Sequence, residues 1–304
     1  MSRSKRDLSQ ISPGTNGILN FMFVLYTIAC FTPFLLVLAI SVSSEDALIQ
    51  YGYRLWPKEF SGNAYRYIFS DMSDLGRNYG ITIFSTVFGT ALTVLITTLF
   101  AYPLSRADFK YRNIFSFIVF FTMIFHGGLV PKYMVYTQIL HLKNTIWVYI
   151  APHLMSAWYV IVMRTFMKSA IPDSIVEAAK IDGASELQTF SKIVLPLSRP
   201  GIATVALFTS ISIWNDWGTP LLFITKVKLY NLQFAMYQAL QNAEILRQNP
   251  DILSESGAAD LIASMPAESA RMAMCIAAIG PIIFFYPFFQ KYFVRGLTVG
   301  AVKG

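Results

Sequence analysis

The sequence predicts an all-α integral membrane protein with six transmembrane helices and both termini in the cytoplasm. Three observations carry that expectation. Hydrophobic residues make up 55% of the 304-residue chain and charged residues only 13%, with a mean hydropathy of +0.50. A soluble domain carries about 25% charged residues and has no interior large enough for so much apolar surface. Six apolar runs approach or exceed the roughly 20 helical residues that cross a hydrocarbon core about 30 Å thick. The Lys and Arg residues gather at alternate connections between those runs, which orients the chain.

The runs are 17–42, 79–104, 113–137, 145–167, 200–225 and 268–290. The polar segment 1–16 reads as a cytoplasmic tail. The first run is too long for a signal-peptide core and lacks a small-residue cleavage site, so it is expected to stay as an anchor. Pro152, His153 and Ser156 interrupt the fourth run, which neighbouring helices can tolerate by satisfying the freed backbone groups. The side shared by the termini receives Arg3, Lys5 and Arg6, then Arg106, Lys110 and Arg112, then Arg164, Lys168, Lys180, Lys192 and Arg199, and finally Lys291, Arg295 and Lys303. The six-helix domain is thus expected over 17–290, with a cytoplasmic loop at 168–199, outside loops at 44–77 and 226–267, and a cytoplasmic tail at 291–304. The aromatic residues of "YGYRLWPKEFSGNAYRYIF" suit the membrane interface.

Several function classes are excluded by what is missing. The net charge of +7 comes from scattered residues, with no basic stripe or motif for nucleic acid. Cys30 and Cys275 lie inside apolar runs and read as packing residues. No spacing of His, Cys and acids suits a metal, and no nucleophile-and-base constellation marks an enzyme.

The most informative polar stretch is "EAAKIDGASELQTFSKIVLP", Glu177–Pro196. Pro172 and Asp173 suit the start of a helix. Ile175, Ala178, Ala179 and Asp182 fall along one side, and Gly183 ends it. Ser185 and Gln188 form a capping-box pattern for a second helix, whose apolar stripe is Leu187, Phe190, Ile193 and Val194. Pattern alone suits two readings: a helix docked in a groove of another protein, or an amphipathic loop resting on lipid headgroups.

The motif separates them. Glu177-Ala178-Ala179, Gly183, Ile193 and Leu195-Pro196 stand at the spacing of the EAA loop of binding-protein-dependent ABC importer permeases, which this chain resembles along essentially its whole length. "GGLVPKY", "NTIW", "MRTF", "WNDW" and the tail "YFVRGLTVGAVKG" resemble the carbohydrate branch, most of all its LplC-like group. The resemblance implies a type I (MetI-like) permease fold in a bacterial plasma membrane and a coupling helix at Glu177, Ala178, Ala179 and Gly183, with Ile193, Leu195 and Pro196 fixing the return to the fifth span. It also implies a second homologous permease, two ATPase subunits, an extracytoplasmic sugar-binding lipoprotein, and an oligosaccharide as cargo. No phosphate-binding loop is present, so no cofactor is expected on this chain and ATP and Mg belong to the partner ATPase.

For the pathway, "WNDWGTP" places Trp214, Asn215, Asp216 and Trp217 in the fifth run. An acid at membrane depth is costly and marks a polar route, and Trp faces suit sugar rings; the same tetrad also suits an interfacial belt or helix packing. His126, before Gly127-Gly128, suits either a conduit break or a packing histidine; His141 and His153 carry less signal. Tyr237, Gln238 and Gln241, in the long outside loop, are candidates for binding-protein docking, or else belong to an interfacial helix without a partner. The alternative function, a self-sufficient secondary transporter or channel, would favour internal inverted repeats or several intramembrane charges, and neither is apparent.

Overall fold

The computed structural model describes residues 13–69, 72–248, 267–283 and 287. Among these every regular element is helical, and one isolated β-bridge joins Ser43 to Phe60. The chain divides into two compact units, 1–70 with 246–277 and 71–245 with 278–304. Most of the N-terminal tail, residues 249–266 of the second outside loop and the GAVKG tail lie outside the described residues.

In the first unit, α1 (Pro13–Ser41) is a long apolar helix whose side chains, from Ile18 and Phe21 to Phe31 and Leu35, are exposed. That exposure is what lipid would cover. Two short helices follow, α2 (Glu45–Tyr51) and α3 (Asn63–Ile68). The Glu45 carboxylate accepts the backbone N–H groups of Glu268 at 2.9 Å and Ser269 at 3.1 Å. It thereby caps a distant helix start with the sign of charge that end favours.

The second unit is built on α4 (Met72–Ser105), with α7 (Ala157–Ala170) and α11 (Arg199–Trp214) packed along it. Close approach depends on small residues, as in other membrane helix pairs. A Cβ on Gly89 of α4 would meet Ile213 Cδ1 at 2.8 Å, and one on Gly201 of α11 would meet the Phe166 ring at 2.8 Å.

The apolar runs do not all become straight helices. Run 113–137 is two helices, α5 (Arg112–Ile124) and α6 (Leu129–Met134), the latter continuing through a π turn to Ile139; they are bent by 111°. Gly128, at φ +86°, takes the backbone through a region closed to most side chains. Run 145–167 begins as two 3₁₀ turns, Ile146–Tyr149 and Ala151–His153, bent by 50° from α7, because Pro152 lacks the N–H a continuous helix needs. Run 200–225 is α11, a break at Asn215–Trp217, and α12 (Gly218–Phe223). Of run 268–290, the part within Ala267–Ile283 is helical, with residue 287 described beyond it. By length and composition two helices among the described residues can cross a membrane, Pro13–Ser41 and Asp74–Ser105, and up to five if each bent pair is one span. Cys30 and Cys275 are free and exposed rather than packed inside.

Candidate functional site

The EAA segment folds as two helices joined by a tight turn. α8 (Asp173–Ile181) starts after Pro172 and closes at Gly183, whose φ of +80° suits glycine. The turn is a double hydrogen-bonded C-cap: Gly183 N–H donates to Lys180 O at 3.1 Å and Ala184 N–H to Ala179 O at 2.9 Å. Ser185 opens α9 (Glu186–Thr189) with a complete capping box, Gln188 N–H to Ser185 Oγ at 3.3 Å and Ser185 N–H to Gln188 Oε1 at 2.9 Å. The chain then runs through a π turn and α10 (Leu195–Leu197), and bends by 74° into α11.

The faces differ in part from the helical-wheel expectation. Val176 is the fully buried residue of α8 and Ala179 lies against the core with it, whereas Ile175, Glu177, Ala178 and Asp182 are exposed. Phe190 and Val194 enter the core with Met163, Met167 and Val205, and Leu195 packs beside them. Leu187 does not join that stripe; it is 74% exposed, and Ile181 is 87% exposed. With Ile175 and Ala178 they give the outer surface of this segment an apolar character.

An ion network holds the segment to the turn after α4. Lys180 Nζ lies 2.8 Å from Asp108 Oδ2 and 3.0 Å from Glu186 Oε1. Arg106, whose side chain is 11% exposed, reaches Asp108 at 3.4 Å and Asp173 at 3.3 Å. The Tyr102 hydroxyl donates to Glu186 Oε2 at 2.8 Å. The hydrogen bond with Asp108 holds the Lys180 ammonium above its usual pKa, and the same contact holds Asp108 below the usual carboxylate value. Glu186 is likewise held down, first by Lys180 and then by Tyr102.

The second polar centre is at the break in the fifth run. Asp216 is nearly buried: Thr219 N–H donates to Oδ1 at 2.9 Å, His153 Nε2 lies 3.3 Å from Oδ2, and Asn231 Nδ2 donates to the Asp216 main-chain oxygen at 2.5 Å. A cavity of about 370 Å³ opens beside it, lined by Lys132, Pro152, His153, Asp216, Gly218, Thr219, Leu222 and Phe223. Asn144 closes the neighbouring turn. Its Oδ1 accepts from Thr225 N at 2.7 Å and Lys226 N at 3.2 Å, and its own N–H donates to Phe223 O at 3.0 Å.

Other residues singled out in the sequence fall at different places. Trp214 is 1% exposed and donates from Nε1 to Ala278 O at 2.9 Å, so in this conformation it packs helices instead of presenting a face to a route. Trp217 is 47% exposed and stacks on Tyr237 with ring centroids 4.9 Å apart. Asn215 turns back to Ile211 O at 3.0 Å. His126 is exposed at the α5–α6 break and does not line the cavity beside Asp216. In α13 (Leu232–Gln248) Tyr237 and Gln238 are half-buried and Gln241 is exposed. His153 was noted only as a weaker histidine, Lys132 and Thr219 stood inside "GGLVPKY" and "WNDWGTP" without a role, and Asn231 was not singled out. Asn144 stood inside "NTIW" without a role. Among the described residues no group of His, Cys and acids is arranged to hold a metal ion.

Comparison with known proteins is consistent along the chain. The profile of the family described as "Binding-protein-dependent transport system inner membrane component" matches residues 83–299. Protein LplC of Bacillus subtilis (strain 168) is 38% identical over 90% of this chain and 89% of its own length. The polygalacturonan/rhamnogalacturonan transport system permease protein YtcP of the same organism is 35% identical over 92% of this chain and 95% of its own. Among solved structures, a chain of a bacterial ABC transporter involved in the import of the acidic polysaccharide alginate matches with a TM-score of 0.77 and 27% identity, covering 96% of this chain and all of that one.

Proposed function

The chain belongs to the family of binding-protein-dependent transport system inner membrane components, and from that premise we propose that it is the permease subunit of an ATP-driven importer carrying an oligosaccharide into the cytoplasm. The relatives named for polygalacturonan, rhamnogalacturonan and alginate transport support a sugar as cargo. In this reading six spans cross a bacterial plasma membrane with both termini inside. The broken runs 113–137, 145–167 and 200–225 each count as one span, and run 268–290 supplies the last. A second homologous permease completes the route, two ATPase subunits bind ATP and Mg, and an extracytoplasmic sugar-binding lipoprotein delivers the cargo.

The observation that carries the reading is the outer surface of the EAA segment. Glu177 and Ala178 stand exposed on α8 between Ile175 and Ile181, and the glycine turn leaves its end narrow. An exposed apolar strip on a cytoplasmic helix suits a groove on a partner. Behind it, Val176, Ala179, Phe190 and Val194 join the segment to the transmembrane core. A push on α8 is therefore delivered to α4, α7 and α11. Closure of the ATPases on ATP moves the coupling helices and turns the bundle outward, and ATP biases that equilibrium only through its different affinity for the two arrangements. Glu177, Ala178, Ala179 and Gly183 form the docking turn; Ile193, Leu195 and Pro196 set the elbow into α11. Asp216 and Trp217 border the route, and Tyr237, Gln238 and Gln241 face the binding protein.

Mild-detergent purification of the tagged chain from its native membrane, followed by mass spectrometry and ATP-driven uptake in proteoliposomes, tests this assembly. Recovery of a second permease, an ATPase and a sugar-binding lipoprotein is the expected result. A chain that always purifies alone, or that transports solute without ATP, overturns it.

A further inference from the structure

We infer that the cavity beside Asp216 takes a carboxylate-bearing sugar, an acidic oligosaccharide, with Lys132 as the anion contact. This rests on the importer reading above and names the class of its cargo.

The cavity's volume of about 370 Å³ lies within the roughly 300–1,000 Å³ of small-molecule sites. Pro152, Leu222 and Phe223 give it an apolar wall suited to the C–H face of a sugar ring, and three ionisable side chains give it polarity: Lys132, His153 and Asp216. Asp216 is already committed. One oxygen takes the Thr219 N–H and the other faces His153. About half of its roughly four acceptor positions are thus taken, which leaves it less to offer the hydroxyls of a neutral sugar. Its negative charge is offset where it sits, by hydrogen bonds that also fix the start of α12.

Lys132 is not committed. Among the described residues no carboxylate lies within ion-pair distance of it. An ammonium group offers three donors and no acceptor, so its best complement is an anionic oxygen, and a charge-assisted bond of that kind is roughly twice as strong as a neutral one. The 111° bend between α5 and α6 brings the start of α6, and Lys132 with it, to the cavity that the α12 residues line.

The approach to the cavity carries the same sign. Segments 127–152 and 217–243, which supply most of its lining, contain Lys132, Lys143, Lys226 and Lys228; the acid of the lining, Asp216, stands just before the second segment and is already paired with Thr219 and His153. Lys143 Nζ lies 3.4 Å from the hydroxyl of Tyr133, the residue next to Lys132. Asn144 holds the turn that begins at Thr225 and Lys226. An excess of Lys over acids in the segments beside a cleft draws anions toward it.

The test uses the full transporter, with its partner subunits and binding protein, in proteoliposomes. ATP-driven uptake of labelled trigalacturonate is compared with that of galactotriose, which is close in size and lacks the carboxylates. The native complex should prefer the acidic trisaccharide by at least about tenfold. Lys132→Met should abolish most of that preference, and Lys132→Arg should retain it, which separates loss of charge from loss of fold. Equal or better uptake of the neutral sugar overturns the inference, as does a Lys132→Met complex that assembles and keeps the preference. Uptake of neither sugar counts against the oligosaccharide reading on which the inference stands. Uptake of galactotriose alone spares that reading and defeats only the acidic class.

Discussion

Lys180 Nζ lies between two carboxylates, 2.8 Å from Asp108 of the α4–α5 turn and 3.0 Å from Glu186 at the start of α9. The EAA turn is therefore tied from its middle to the turn that follows α4, the longest helix among the described residues. Individual exposed pairs contribute only about 0–1 kcal/mol, so the expected effect of Lys180→Met is on coupling more than on stability. The variant should assemble and hydrolyse ATP while transporting less sugar per ATP, measured as the ratio of uptake to phosphate release in proteoliposomes. An unchanged ratio would show the tie to be idle.

The same network sets a pH window. Asp108 and Glu186 are held below their ordinary values, so their contribution is present above those values and is lost as pH falls through the lowered pKa of each. Lys180 is held above its ordinary value, and its contribution is complete below that value and lost as pH rises through the raised one. Native protein and Lys180→Met should therefore differ most in thermal midpoint near neutral pH. The gap should shrink toward pH 3 and again under strongly alkaline conditions. A gap that stays constant from pH 7 to pH 3 would assign the effect of the mutation to packing.

Gly183 takes φ +80° just after Asp182, the C-cap of α8, and its N–H and that of Ala184 close the turn. Nothing lies within 4 Å of a Cβ built there, so Gly183→Ala meets backbone strain and no clash. The cost is about 1–2 kcal/mol, the penalty of a left-handed conformation for an ordinary residue. The turn should relax, and ATP hydrolysis should separate from uptake while membrane insertion and subunit assembly persist. Glu177→Ala, which removes an exposed charge, should uncouple in the same assay without lowering the thermal midpoint. Normal uptake in both variants would count heavily against a coupling role for this segment.

Legibility in the sequence follows the range of the interactions. The helix start at Ser185 and the glycine turn were readable because both partners of each hydrogen bond lie within six residues. The inward face of α8 was not. A helix of nine residues presents either of two adjacent stripes to a core, and packing against α4 and α7 selects Val176 with Ala179. Asp216 drew notice as an acid in an apolar run, but His153 lies 63 residues away and its pairing depends on two chain breaks, at Pro152 and at Asn215–Trp217. For Trp214 the sequence left a route role, an interfacial belt and helix packing open. Its Nε1–H donates to the main-chain oxygen of Ala278, 64 residues away, a contact that no local pattern announces.

Asn144 ties two turns of the second unit together through its side-chain amide. Its side-chain oxygen accepts from two backbone N–H groups and its φ is +58°, a conformation Asn tolerates better than most residues. Asn144→Ala leaves those donors to solvent and adds strain, a loss of roughly 1–3 kcal/mol. Asn144→Asp keeps an acceptor for both and should recover most of the stability. A thermal midpoint lowered in the alanine variant and largely restored in the aspartate variant would identify the acceptor as the working group. If both variants fall equally, the amide donor to Thr225 Oγ1 at 2.9 Å matters more.

Gly201 tests how closely α11 and α7 must approach. A Cβ there would stand 2.8 Å from Phe166 Cδ1 and 2.9 Å from Cγ, with Met163 Sδ at 3.3 Å. The ring belongs to α7, and the neighbouring Met163 is fully buried, so relief requires moving a packed side chain or separating two helices. Overpacking of this kind costs about 1–3 kcal/mol. Gly201→Ala should lower the thermal midpoint of the solubilised complex, and pairing it with Phe166→Leu should restore part of the loss by removing the ring. Two independent losses that simply add would place the strain elsewhere, because residues that share a contact should not behave additively.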